Sequence, residues 1–178
     1  IFHGEDLPEP FEVSDNVVIP IADYRYNRYQ FNFKSAYHRK VVVELEYETG
    51  GFYGGRLSQM QLGVDFNYKG NIKLGLQGNF IRGNLPEGEF KETLYRAKVD
   101  FYLNPDLGLS TYLQYDSVSE NIGANIRFKW RISPGNTIYI VYNKSWEKGF
   151  DPLSGYGSRR FFPFQDRGIF KIQLSWRP

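Results

Sequence analysis

Three carboxylates, Glu44, Glu46 and Glu48, recur at every second position of the stretch VVVELEYE. On an extended strand this spacing stacks them along one face about 6.5–7 Å apart, a separation that a general acid and a general base could share. The plainer chemistry is a charge ladder, in which each carboxylate pairs with a Lys or Arg on a neighbouring strand. A second set is basic: Arg96, Lys98, Arg127, Lys129 and Arg131 also alternate, with Asp100 beside the first two. Such a wall could guide anionic solutes, or it could be taken up in cross-strand salt bridges to Asp100, Asp116 or the glutamates. A third set lies in EKGFDPLSGYGSRRFFPFQDR, where Arg159 and Arg160 adjoin Phe161, Phe162 and Phe164. Cations next to rings suit lipopolysaccharide phosphates, a sugar or a partner protein. The alternative is a long loop whose aromatics pack on the rim of the fold.

Enzymatic chemistry finds little support. Only His3 and His38 are present; His38 sits beside Arg39 in an expected turn with no nucleophile motif near it. A hydrolase needs a His with a Ser or Asp partner. There is no Cys, no zinc-ligand spacing and no phosphate loop, so no catalytic residue, metal or cofactor is expected.

The elements that would hold these residues are strands. In NIGANIRFKWR, Ile122, Ala124, Ile126, Phe128 and Trp130 point one way, and Gly123, Asn125, Arg127, Lys129 and Arg131 the other. Period-two alternation of this length fits a pleated ribbon and no helix. The same test divides Tyr29, Phe31 and Phe33 from Arg28, Gln30, Asn32 and Lys34, and Val41, Val43, Leu45 and Tyr47 from the three glutamates. It divides Leu62, Val64, Phe66 and Tyr68 from Gln61, Gly63, Asp65 and Asn67, and Tyr95, Ala97, Val99 and Phe101 from Arg96, Lys98 and Asp100. Further stretches follow at Ile72–Phe80, Leu109–Tyr115, Ile138–Tyr142 and Phe170–Trp176. About nine strands result, and no helix.

Connections alternate in expected length. Gly70-Asn71, NPD at 104–106 and SPGN at 133–136 read as tight turns, whereas GGFYGG at 50–55, NLPEGEF at 84–90 and the segment 147–167 read as longer loops. Only the join near Ser119 departs from the alternation. Outer-membrane barrels have short periplasmic turns and longer external loops, so 147–167 is expected outside the cell. Nine strands are an odd number for a bacterial barrel. Either FEVSDNVVIP supplies a tenth, or, as favoured here, the chain is the C-terminal part of a larger barrel, with 1–23 an external loop and 24–178 the strands. The first residue, Ile1, points the same way.

Composition agrees with a membrane sheet. Aromatic residues make up 18% of the 178, with 14 Tyr and 15 Phe, and an excess of that size needs a place. Net charge is only +2 and both signs are interspersed, which gives no reason to expect nucleic acid. Mean hydropathy is −0.50, yet a polar interior hides a lipid-facing stripe from any average. There is no apolar run of about 20 residues for a transmembrane helix. A soluble two-sheet sandwich also alternates, but its strands are shorter. Here aromatics such as Tyr47, Tyr68, Phe101, Trp130, Tyr142 and Trp176 also fall near strand ends, as interfacial girdles do.

The runs PFEVSDNVVIPIADYRYNRYQFNFKSAYHRK, GGFYGGRL, LPEGEF and LQYDSVSENIGANIRFKWRISPGNTIYIVYNK carry a resemblance. They resemble the C-terminal barrel of an uncharacterised family of outer-membrane proteins from Bacteroidetes and related phyla. That family often has an N-terminal module similar to the family-nine carbohydrate-binding modules. The similarity spans most of residues 8–145 and is most specific at Gln114–Ser119, Asn125, Arg127, Trp130, Pro134-Gly135 and Val141-Tyr142-Asn143; it departs at Ile21-Ala22. The resemblance implies a Gram-negative outer membrane, contact with lipid and lipopolysaccharide, and a possible glycan or protein partner. The function expected is an anchor or scaffold, or a conduit. A porin-like saccharide channel and a soluble carbohydrate-binding sandwich are the alternatives.

Overall fold

The computed structural model describes residues 2–14, 17–150 and 159–174. Its described residues form an all-β antiparallel fold with no helix. Twelve strands occur: β1 (Phe2–Asp6), β2 (Phe11–Ser14), β3 (Val17–Ile19), β4 (Asp23–Lys34), β5 (Val41–Phe52), β6 (Gly55–Tyr68), β7 (Ile72–Leu85), β8 (Gly88–Asn104), β9 (Leu107–Asp116), β10 (Asn121–Ser133), β11 (Asn136–Phe150) and β12 (Arg159–Gln173). Ten build one sheet in the order β1-β4-β5-β6-β7-β8-β9-β10-β11-β12, and β2 with β3 forms a separate hairpin. The expected external loop at 1–23 thus contains three short strands, of which β1 pairs with Asp23–Asn27 of β4. The sheet is not closed into a barrel: among the described residues no pairing joins β1 to β12.

The alternation of short and long connections also fails. β5 and β6 meet at a two-residue turn, Tyr53-Gly54, and β7 and β8 at Pro86-Glu87. Tyr53 and Gly54 have φ of 43° and 86°, the left-handed pair that matches the twist of a two-residue hairpin. The glycines of 50–55 had suggested a loop, yet Gly51 and Gly55 are strand residues at close approaches. A Cβ on Gly55 would lie 2.7 Å from the Leu85 Cα. Likewise 147–167 is strand except for 151–158, which lies outside the described residues. Arg159, Arg160, Phe161 and Phe162 belong to β12 and pair with Phe150, Gly149, Lys148 and Glu147. Their expected place in an external loop is therefore corrected. β12 is an edge strand, which is where Pro163 can sit, because its missing N–H interrupts no second ladder.

The chain divides into two compact units. One comprises Ile1–Gly63 and Gln77–Leu94, the other Val64–Leu76 and Tyr95–Pro178. In both, the alternating phases separate as the sequence requires. Large apolar side chains of one phase stand in the open: Tyr29 is 73% exposed and Leu76 63%. None of the large apolar residues of this phase from Tyr29 to Ile172 is buried.

Buried hydrophobic residues, among those described, are confined to the first unit: Leu7, Val17, Ile19, Tyr53, Leu57, Leu85 and Phe90, with Val13, Tyr24, Phe52 and Ile81 against them. These strand residues share the phase of the polar ones. Tyr24 alternates with Arg28, Phe52 with Glu48, Leu57 with Gln61, Ile81 with Gln77, and Phe90 with Arg96. The polar face of β4–β8 thus turns apolar at one end, and the segment from Leu7 to Ile19 seats there. Ile19 is fully buried, and the Phe90 ring fills the space over Gly83.

Candidate functional site

In the first unit, the register of β4 with β5 sets Lys34, Asn32, Gln30 and Arg28 opposite Glu44, Glu46, Glu48 and Gly50. Lys34 Nζ lies 2.7 Å from Glu44 Oε1, and Arg28 Nε 2.9 Å from Glu48 Oε1. Glu46 faces Asn32 and lines a small recess with Gln30, Glu48, Gln59 and Gln61. Two of the three glutamates, Glu44 and Glu48, are thus paired with cations across β4, as in a charge ladder, while Glu46 has a neutral neighbour.

At the end of these strands the Tyr53 hydroxyl donates to Glu5 Oε2 at 2.5 Å. Burial, followed by the Glu5 bond and charge, pushes the Tyr53 phenol well above its ordinary value. Its ring packs edge-on against Tyr24 and Phe52. His3 stacks on Tyr26 with centroids 5.4 Å apart. His38 is exposed in the turn after β4, as expected.

In the second unit the basic set divides. Lys98 pairs with Asp100 at 3.0 Å along one strand, and Arg131 reaches Asp106 in the preceding turn at 2.5 Å. The first stays within one strand; the second joins β10 to the β8–β9 turn, where the Arg131 N–H also donates to the Asp106 carbonyl at 2.7 Å and continues the β9–β10 ladder. Arg96 lies on the same phase and is half-buried. Arg127 and Lys129 are exposed and form no ion pair with any described residue. Glu120, with φ of 48° in the β9–β10 turn, binds Lys148 and Arg159, each at 2.7 Å. The Lys148 ammonium, with Arg159 behind it, holds the Glu120 carboxyl below its usual range. Phe161 packs edge-on against Tyr115 at 6.3 Å, and Phe162 lies over Gly149.

One recess on this unit was not assembled from the sequence. A cleft of about 410 Å³ opens on the polar phase of β9–β12, lined by Tyr112, Gln114, Asp116, Ser119, Asn121, Asn125, Asn143, Ser145 and Gln165, with Gly123 in its floor. Register explains it. One row runs Tyr112, Asn125, Asn143, Arg167, and the next Gln114, Gly123, Ser145, Gln165. A Cβ on Gly123 would meet nothing within 4 Å, so the glycine leaves the floor open. The Asn125 amide donates to Asn143, and Tyr112 donates to Gln114 at 3.3 Å. Asp116 Oδ1 accepts from the Val118 N–H at 2.8 Å, and the buried Asn121 Oδ1 has no partner. The alternation marked Tyr112, Gln114, Asp116 and Asn125 as polar, but only strand register brings Asn143, Ser145 and Gln165 beside them.

The opposite face orders its rows by height. Leu107, Trp130, Ile138 and Ile172 form one row, Leu109, Phe128, Ile140 and Phe170 the next, and Thr111, Ile126, Tyr142 and Gly168 the third. Above them Lys144 meets Asp166 at 3.5 Å, and the Tyr142 hydroxyl donates to Asp166 at 2.9 Å. Tyr115, Ile122 and Trp146 follow. Among the described residues no group of His, Asp or Glu is arranged to hold a metal ion. No helix is long and apolar enough to cross a membrane, which leaves strands untouched as membrane elements. No protein-family model matches the chain, and no curated protein and no solved structure matches it.

Proposed function

We propose that this chain is part of an outer-membrane β-barrel that serves as an anchor or scaffold. The observation that carries the reading is the uncovered apolar face. A soluble protein rarely leaves contiguous apolar surface of more than a few hundred Å², whereas here, in each unit, no large apolar strand residue of one phase is buried and many are exposed. A sandwich would need a second large sheet over that face, and the other sheet among the described residues is the hairpin of β2 and β3. Height agrees as well. Ile122 to Ile132 rise about 33 Å along β10, and at a tilt of roughly 40° the stripe spans about 25 Å, the apolar band of a barrel. The Tyr115, Trp146 and Phe161 rings would lie at one border and Trp130 near the other, with the Lys144–Asp166 pair one row inside the first.

Closure would come from further strands. Among the described residues the outer edge of β12 has no partner strand, and β1 covers β4 only over Asp23–Asn27, so ladder groups remain for pairing. The seat of Leu7–Ile19 on the polar face favours a filled interior, and with it a scaffold over an open saccharide channel. The resemblance to barrels that carry a carbohydrate-binding module supports a link to a glycan-binding region or a partner.

Facing is the step to test. Ile126→Arg would put a guanidinium at a lipid-facing position, at a cost of about 2–4 kcal/mol, while Asn67→Arg would put one on the polar face. Folding into liposomes, scored by the heat-dependent gel shift of folded barrels, should fail for the first and survive for the second. Equal tolerance, or a chain that stays monomeric in buffer without detergent, overturns the reading.

A further inference from the structure

Below the amide cleft on β9–β12 the polar face becomes basic. Beneath the row that ends in Asn143 and Arg167 comes Ser110, Arg127, Val141 and Ile169, then Gly108, Lys129, Tyr139 and Lys171. No carboxylate stands in these three rows. Arg127, Lys129, Arg167 and Lys171 are exposed and have no ion-pair partner among the described residues. The only acid in the cleft wall, Asp116, already accepts the Val118 N–H. Lys144 also borders the cleft, and its ammonium is engaged with Asp166 at 3.5 Å.

Apart from Asp116 and Lys144, the side chains that wall the cleft are neutral. Gln114, Asn121, Asn125, Asn143 and Gln165 each present a donor and an acceptor, as do the hydroxyls of Tyr112 and Ser145. Vicinal hydroxyls need that pairing, because each one both gives and takes a hydrogen bond. Asn121 lines the cleft, while its Oδ1 is itself buried and has no partner among the described residues. The volume of about 410 Å³ falls in the range of about 300–1,000 Å³ typical of small-molecule sites. Arg127 follows Asn125 on the same face at a repeat of about 6.5–7 Å, and Arg167 adjoins Asn143 one strand over, about 4.8 Å away.

We propose that this face binds a saccharide unit bearing a carboxylate, a uronate, whose hydroxyls lie among the cleft amides and whose carboxylate meets Arg127 and Arg167. The planar guanidinium fork suits a carboxylate in particular. The inference goes beyond membrane anchoring and does not depend on it.

The test is calorimetric titration of the full chain with glucuronate, glucose and sodium sulfate, in detergent micelles with the gel shift as a check of folding, and in plain buffer if the chain proves soluble there. Glucuronate should bind about tenfold more tightly than glucose, the contribution of one charge-assisted hydrogen bond, and weaken as salt rises. Arg127→Gln with Arg167→Gln should bring glucuronate down to the glucose level, and Asn143→Ala should weaken both sugars. Equal binding of the two sugars by the native chain overturns the proposal. So does sulfate binding that matches glucuronate and ignores Asn143→Ala, which would mean a basic row without a sugar site. A chain that shows the gel shift and binds neither sugar also overturns it and leaves the barrel reading standing.

Discussion

Tyr53 shows how much one side chain can be asked to do. It turns a hairpin with a left-handed backbone, buries its ring and ties its hydroxyl to Glu5 across the sheet edge. Its phenol is held above the ordinary value of 10.0, so the folded state favours the neutral form. The sign follows: this contribution is fully present below pH 10 and is lost as pH climbs from there toward the raised value. Alkaline titration followed by tyrosinate absorbance should therefore show a late phenol that belongs to Tyr53, and unfolding midpoints should fall above pH 10. Tyr53→Phe should remove the late step and cost about 1–3 kcal/mol, because Glu5 is left without its donor. A midpoint that is flat across that pH range in the native chain would contradict the assignment. Glu120 has the opposite sign: its carboxyl is depressed by Lys148 and Arg159, so its support is present above the ordinary value of 4.5 and fades as pH falls through the lowered one.

At the scale of the strand, what could be read in the sequence was phase, and what could not was extent. Ile122–Trp130 and Asn125–Arg131 separate in the structure as alternation predicts, because period two follows from the pleat itself. The stretches 50–55 and 84–90 were misjudged. Gly50, Gly51, Gly54, Gly55 and Gly88 resemble a flexible loop in isolation, but most of them serve close contact or a turn between long strands. Phe52, Leu57, Leu85 and Phe90 break the polar phase where β2 and β3 seat, and this depends on a long-range partner that no local pattern reveals. The cleft is the same case, since Asn125 and Asn143 are neighbours only through register. A pair of substitutions tests the glycine argument. Gly55→Ala meets the backbone of Asn84 and Leu85 and should lower stability by about 1–3 kcal/mol. Gly168→Ala meets nothing within 4 Å, and replacing a strand glycine there should be neutral or stabilise by about 0.5–1 kcal/mol. Equal effects in chemical denaturation would mean that the close approach at Gly55 is not tight.

For the whole molecule the decisive feature is that the polar face is not uniformly open. In the first unit Val17 and Ile19 sit on it, whereas the face in the second unit holds the amide cleft and the unpaired cations. If the scaffold reading holds, planar bilayers containing the native chain should show little current. Ile19→Asp places a carboxylate in a fully buried apolar site and should unseat the segment, giving larger and more frequent conductance steps while the gel shift persists. High conductance from the native chain would favour the channel alternative instead.

The order of the strands has one more consequence. From β4 to β12 every neighbour in the sheet is also a neighbour in the chain, and the one exception, β1 against β4, is separated by the β2–β3 insertion. Contacts of such low sequence separation form without closing long loops. The sheet can therefore zip hairpin by hairpin, each new arm templated on the last, with no need for the chain to hold distant segments together first. The same arrangement makes the fold extensible: a hairpin could be duplicated or lost at β12 without disturbing a register elsewhere, so sheets of different width can be built from one pattern by counting arms.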